Sequence, residues 1–134
     1  MEVTIIVTGD NTLKPLWHPL YFKYKDDPKY QIVFAKNVMN GINHARFANV
    51  FVTNYNAIPT YRMMTELLEL KKGQMICPSW HKYMTNNFEG AECEESFSVN
   101  RDLYKGETKN EYIKKRNPEV IKKGKMYFLM RNDE

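Results

Sequence analysis

Long apolar runs are missing from this chain. Nowhere do about 18 hydrophobic residues stand together, so no membrane-spanning helix is expected and no membrane partner. Cysteine is scarce, with Cys77 and Cys93 alone. The opening residues Met1-Glu2-Val3-Thr4-Ile5 carry no positive patch ahead of an apolar stretch, so no secretory signal is recognisable. The two thiols therefore read as free, small buried hydrophobes in a reducing compartment: the cytoplasm, or a host's cytoplasm for a viral product. Internal repeats, low-complexity tracts and linker-like stretches are absent as well. One globular domain over residues 1–134 is the expectation.

Cofactor fingerprints are also missing. There is no G-x-G-x-x-G and no G-x-x-x-x-G-K-[ST], which removes support for a dinucleotide fingerprint or a P-loop, and no cofactor is expected. Cys77 and His81 have a spacing that could share a metal ion, with Cys93 or His44 to complete the set. A structural zinc site usually shows two close ligand pairs, and only one exists here, so no metal is assigned. Neither cysteine sits in a glycine-framed nucleophile signature, and nothing pairs one with His18, His44 or His81. Catalytic residues stay unassigned, and whether the protein is an enzyme is left open.

What is present supports a folded core. Eighteen aromatic side chains supply large apolar pieces, and hydrophobic residues make up 43% of the chain. The formal charge is +4, unevenly spread. Residues 1–104 carry 11 basic and 11 acidic side chains, whereas residues 105–134 carry 9 basic against 5 acidic. Just upstream lies an acidic stretch, Glu89, Glu92, Glu94 and Glu95, which reads as a solvated loop. Frequent Lys and Asn with little Ala and Gly match A/T-rich codons, as in many viruses, phages and low-GC bacteria.

Periodicity then places the elements. Residues 2–8 are β-branched at nearly every position, read as an interior strand, and stop at Gly9-Asp10-Asn11. Pro15, Pro19 and Pro28 forbid a long helix over 12–29, and Leu20–Tyr24 alternates enough for a short strand. Tyr30–Ala35 reads as a strand, Asn37 as the cap of a helix over 38–47, and Val50–Thr53 as a strand. That is the pattern of a right-handed parallel crossover between neighbouring strands. A helix is expected over 59–72, a short strand over 74–77, and a helix from Pro78 to about Phe88. A strand over 96–99 follows, then a helix over 109–116 behind the capping box Thr108/Glu111, a short helix from Asn117, and a last strand over 126–130. The fold class is α/β: one domain with a mixed sheet of about five strands and flanking helices. The alternative is α+β with a mainly antiparallel sheet.

Two surfaces follow. Strands that end together make a polar mouth, and Asp10, Asn11, Lys36, Asn54 and Asn56 would line it for a nucleotide or small anion; an equivalent strand end is Arg131-Asn132-Asp133. The same residue types also serve turns and caps for local reasons. Cations and rings offer a second surface, for a nucleic acid or protein partner: Trp17, Tyr21 and Lys23 in the aromatic segment, with Lys114, Lys115, Arg116, Lys122 and Lys123 in the basic one. The leading expectation is a small accessory binding protein, viral or phage-encoded, acting by stoichiometric contact with a macromolecule. The alternatives are a nucleotide or small-anion binder and a small metal-dependent hydrolase or nuclease.

Overall fold

The computed structural model describes residues 2–81 and 90–129. The chain begins with β1 (Val3–Thr8), a 3₁₀ helix (Asn11–Trp17), α1 (His18–Tyr24), β2 (Tyr30–Phe34), α2 (Val38–His44) and β3 (Asn49–Asn54). It continues through β4 (Ala57–Pro59), α3 (Tyr61–Leu68), β5 (Gln74–Ile76) and β6 (Ser79–Trp80). Last come β7 (Phe97–Asn100), α4 (Lys109–Arg116), β8 (Glu119–Ile121) and β9 (Lys125–Phe128). The fold is α/β with mixed sheets.

The main sheet has the order β2-β1-β3-β7. β1 runs parallel to both neighbours, with Ile5 opposite Ile32 on one side and Phe51 on the other, while β7 is antiparallel to β3. The expected crossover over residues 30–53 is present, but its two strands are not neighbours, because β1 lies between them. The reason is composition: Val3, Ile5, Ile6 and Val7 are apolar on both faces and have no solvent access, which suits an inner position. Among the described residues two small sheets accompany the main one, β4-β9-β6 and β5-β8. The last strand, β9, therefore belongs to a different sheet from β1, and residues 131–133 lie outside the described residues.

Period-two alternation sends side chains to two cores. Val3, Ile5, Val7 and Phe51 pack with Leu13, Trp17, Leu20, Met63, Met64 and Leu67 beneath the 3₁₀ helix, α1 and α3. Ile6, Val50, Val52, Phe97 and Val99 pack with Ile42, Tyr104 and Tyr112 on the opposite face, beneath α2 and α4. The sheet is thus covered on both sides.

Several local expectations are corrected. Leu20–Tyr24 is helical, not a strand: Pro19 occupies the first turn, where its missing N–H costs nothing, and Leu20 and Tyr24 are buried at i, i+4. The helix expected from Pro78 begins as β6 instead. The Ser79 N–H donates to Gly124 O and the His81 N–H to Met126 O, so sheet pairing overrides the helical reading; the rest of that helix lies outside the described residues. The short helix from Asn117 is β8, parallel to β5. Asn117 adopts a left-handed conformation (φ 49°) that ends α4 and turns the chain, and β-branched Val120 and Ile121 then pair. The helix expected over 59–72 is shorter: Pro59 belongs to β4, and Thr60 caps α3 by accepting the Met63 N–H. The caps expected at Asn37 and at Thr108/Glu111 are both present.

Candidate functional site

The strand order β2-β1-β3 fixes where the molecule opens. The connection from β1 to β2 runs through the 3₁₀ helix and α1 on one face, and the return to β3 runs through α2 on the other. The chain therefore leaves β1 and β2 toward opposite faces of the sheet, and after β3 it returns to the face of the 3₁₀ helix, where Tyr55, Ala57 and Met63 join that core. In open α/β sheets a crevice forms at such a switch point, outside the carboxyl ends of the strands.

A cleft of about 380 Å³ occupies that place, lined from the strand ends by Thr8, Gly9, Val52, Thr53 and Asn54. Gly9 has φ +101°, which carries the chain away from β1 and leaves no side chain at the rim. Val38, Phe97 and Tyr104 give the cleft apolar walls, and Glu94, Glu95, Glu107, Thr108 and Lys109 close it. A second cleft of about 460 Å³ adjoins, lined among others by Asn56, Trp80, Glu92, Cys93 and Phe128. Asn54, Glu94 and Glu95 line both clefts.

Asn54 is tied on both sides. Its Nδ2 donates to Glu95 Oε2 at 3.0 Å, and its Oδ1 accepts the Asn56 N–H at 2.9 Å. Asn56 Nδ2 donates to Leu129 O, and beneath them Thr53 Oγ1 contacts Ser96 Oγ at 2.8 Å. These bonds hold the strand end against the 94–96 segment, so the polar lining is set before a ligand arrives.

The acidic stretch and the basic segment, which look independent in the sequence, bind each other. Lys109 is only 3% exposed; its Nζ lies 3.3 Å from Glu92 and 3.4 Å from Glu94, and it donates to Cys93 O. Lys122 donates to Glu92 at 2.8 Å. That bond, with the charge of Lys109, holds the Glu92 carboxyl below the usual range, and the same bond raises Lys122. Glu107, with 9% of its side chain exposed, accepts the Lys105 N–H at 2.6 Å and lies 3.6 Å from both Lys115 and Arg116. Burial pushes the Glu107 pKa up, but the backbone hydrogen bonds and the two cations outweigh it, and the net shift is downward. Its Oε2 is buried without a hydrogen bond among the described residues.

Of the five residues expected at the mouth, Asn54 and Asn56 line the clefts, whereas Asp10, Asn11 and Lys36 are exposed and line neither. Asp10 accepts the Thr12 N–H at the start of the 3₁₀ helix. Trp17 is fully buried and donates to Tyr55 O at 3.1 Å, so it is a core residue and not a contact surface. Tyr21 is half-buried and Lys23 exposed on α1. Lys114 and Lys123 are exposed, but Lys115, Arg116 and Lys122 are engaged with Glu107 and Glu92, which weakens the basic segment as a phosphate surface.

Sequence reasoning missed Glu94, Glu95, Glu107 and Lys109. One signal was available: Lys109 is the first residue of α4, where the helix dipole disfavours a cation, so an anionic partner should stand nearby.

Cys77 and Cys93 are both buried, and burial raises both pKa values, Cys93 to about 12. Among the described residues no group of three His, Cys, Asp or Glu stands close enough to hold a metal. No helix among them is long and apolar enough to cross a membrane.

No protein-family model matches the chain, and a search of curated proteins returned no match. Among solved structures it is similar to A197 from STIV, a viral protein, with a TM-score of 0.53 and 13% identity. The alignment covers 98% of this chain and 87% of that one. At this identity the likeness concerns the fold alone.

Proposed function

We propose that the protein binds a nucleotide-class ligand in the cleft at the carboxyl ends of β1 and β3, holding it chiefly by its sugar hydroxyls. The observation that carries this reading is the coincidence of the switch point with a cleft whose polar lining is already ordered through Asn54 and Glu95. Carboxylates are prominent in that lining: Glu94, Glu95 and Glu107 already meet Lys109, Asn54 and the Lys115/Arg116 pair, and their remaining lone pairs suit hydroxyl or amine donors better than an anion. The small-anion version is therefore the weaker one. Val38, Phe97 and Tyr104 give apolar surface for a ring. A viral or phage-encoded accessory role in the cytoplasm is part of the proposal. It is supported by the residue usage, the two free thiols and the viral source of the structural neighbour.

A thermal-shift screen with nucleosides, nucleoside phosphates, free sugars and inorganic phosphate tests it. Nucleosides and their phosphates should raise the melting temperature by several degrees at about 100-fold excess over Kd, and phosphate alone should not. Asn54→Ala and Glu95→Gln should remove the shift while Asp10→Ala keeps it. A blank screen, or shifts indifferent to Asn54, would overturn the reading.

Stoichiometric contact with a macromolecule is the second reading. The specific observation in its favour is a set of exposed rings on α1 and α3 with lysines over them.

A further inference from the structure

Away from both clefts, α1, the end of β2 and the start of α3 form a face of rings and ammonium groups. Phe22 is 61% exposed and Tyr61 51%, unusually open for aromatic side chains of a chain with a well-filled core. Phe22 touches His18 and Tyr21, and Tyr21 touches Phe34, with ring centroids 5.7 to 5.8 Å apart. A separate pair lies at the end of α1, where Tyr61 meets Tyr24 at 6.2 Å beside Tyr30.

Lysines stand over both groups of rings. Lys14 Nζ stands 4.7 Å from the Phe34 centroid, Lys25 5.9 Å from Phe22 and Lys23 5.2 Å from Tyr61. Lys25 also meets Asp26 at 3.7 Å, whereas among the described residues neither Lys14 nor Lys23 has a carboxylate within 4.0 Å. The rings hold these ammonium groups in place, so a second anionic group meets them partly ordered.

We infer that this face docks a single-stranded nucleic acid, with bases on the exposed rings and phosphates on Lys14, Lys23 and Lys25. The alternation decides the occupant. A protein covering the rings would bury three ammonium groups and need a carboxylate for each, whereas a single strand presents a flat ring and a negative charge in every nucleotide. A duplex hides its bases in the stack and leaves the exposed rings unused. Binding of this kind is tolerant of sequence, because every base has a face to stack.

The test is fluorescence anisotropy with the full chain and a labelled oligonucleotide of about 15 nucleotides, as single-stranded DNA, single-stranded RNA and duplex. Single strands should bind better than duplex, with log K falling against log salt at a slope of about −2, near 0.7 per phosphate contact. Phe22→Ala should weaken binding about tenfold and leave the slope unchanged, and Tyr61→Ala should act likewise if the first variant folds poorly. Lys14→Gln and Lys23→Gln should each flatten the slope by about 0.7. Lys114→Gln and Asn54→Ala should change little, so this result is separable from that of the cleft. The inference is overturned by no binding at about 100 μM protein in low salt, by duplex binding as tight as single strand, or by full affinity in both aromatic variants.

Discussion

Lys109 places its ammonium 3.3 Å from Glu92 Oε2 while only 3% of its side chain meets solvent, and that contact ties the first turn of α4 to the 91–95 segment lining both clefts. Glu92 and Glu94 keep access to water, with side chains 34% and 71% exposed, so they can rehydrate if the cation is lost. The buried Cys93 carbonyl cannot. Lys109→Met should therefore destabilise by about 1–2 kcal/mol, below the cost of breaking a fully buried pair. Lys122→Met, at a side chain 68% exposed, should cost no more than about 0.5 kcal/mol. Chemical denaturation of the two variants checks the order, and hydrogen exchange should show faster opening at residues 91–95 in the first alone.

Gly41 lets α2 lie against β1. A Cβ at that position would press into Ile6 Cγ2, a side chain with no solvent access. In an open helix, glycine to alanine stabilises by about 1 kcal/mol. Here overpacking of about 1–3 kcal/mol acts against that gain, so Gly41→Ala should lower the melting temperature by a few degrees. In an Ile6→Ala background the same change should turn favourable. A double-mutant cycle reads that reversal directly, and additive effects would show that the two positions do not touch.

Much of the fold is legible in the sequence because it rests on local signals. The apolar run of β1, the Asn37 cap and the Thr108/Glu111 box all specify their elements within a few residues. Two of the misread segments, those of β6 and β8, have weak local preference and take their state from distant partners. β6 exists because β9 lies beside it, and β8 because β5 does. Insertion of β1 between β2 and β3 is likewise a long-range choice that the spacing of a strand–helix–strand unit does not reveal. The site divides the same way. Asn54 follows from where β3 ends, whereas Glu95 and Glu107 reach the cleft from segments 41 and 53 residues further along the chain. Only the misplaced charge of Lys109 at a helix start announces them.

Acid should weaken the link between the 91–95 segment and the basic segment before it unfolds the core. The Glu92 pKa is lowered, chiefly by the Lys122 hydrogen bond, so its contribution is complete above the ordinary carboxyl value of about 4.3 and is lost as pH falls through the lower folded value. Glu92→Gln should flatten the stability curve across that interval and leave stability above pH 7 reduced by a constant amount. Equilibrium denaturation between about pH 2.5 and 7 tests this; parallel curves for the two proteins would contradict it.

Alkali acts on groups that burial keeps protonated. Cys93 and Tyr30 are both raised to about 12, and the Tyr30 hydroxyl donates to Met64 O at 2.9 Å. Unfolded, these groups ionise near about 8.5 and 10, so in that interval the unfolded chain loses protons that the folded chain retains. Stability should hold below about pH 8.5 and then fall steadily as pH rises toward 12. The same burial makes both thiols poor nucleophiles, because a reacting cysteine must first be a thiolate. At pH 8 a disulfide reagent should find two thiols in the denatured chain and react with the native one only at the rate of opening. Full reaction of the native protein within seconds would show that Cys93 is accessible, and a cysteine-dependent reaction in the second cleft would then merit a search.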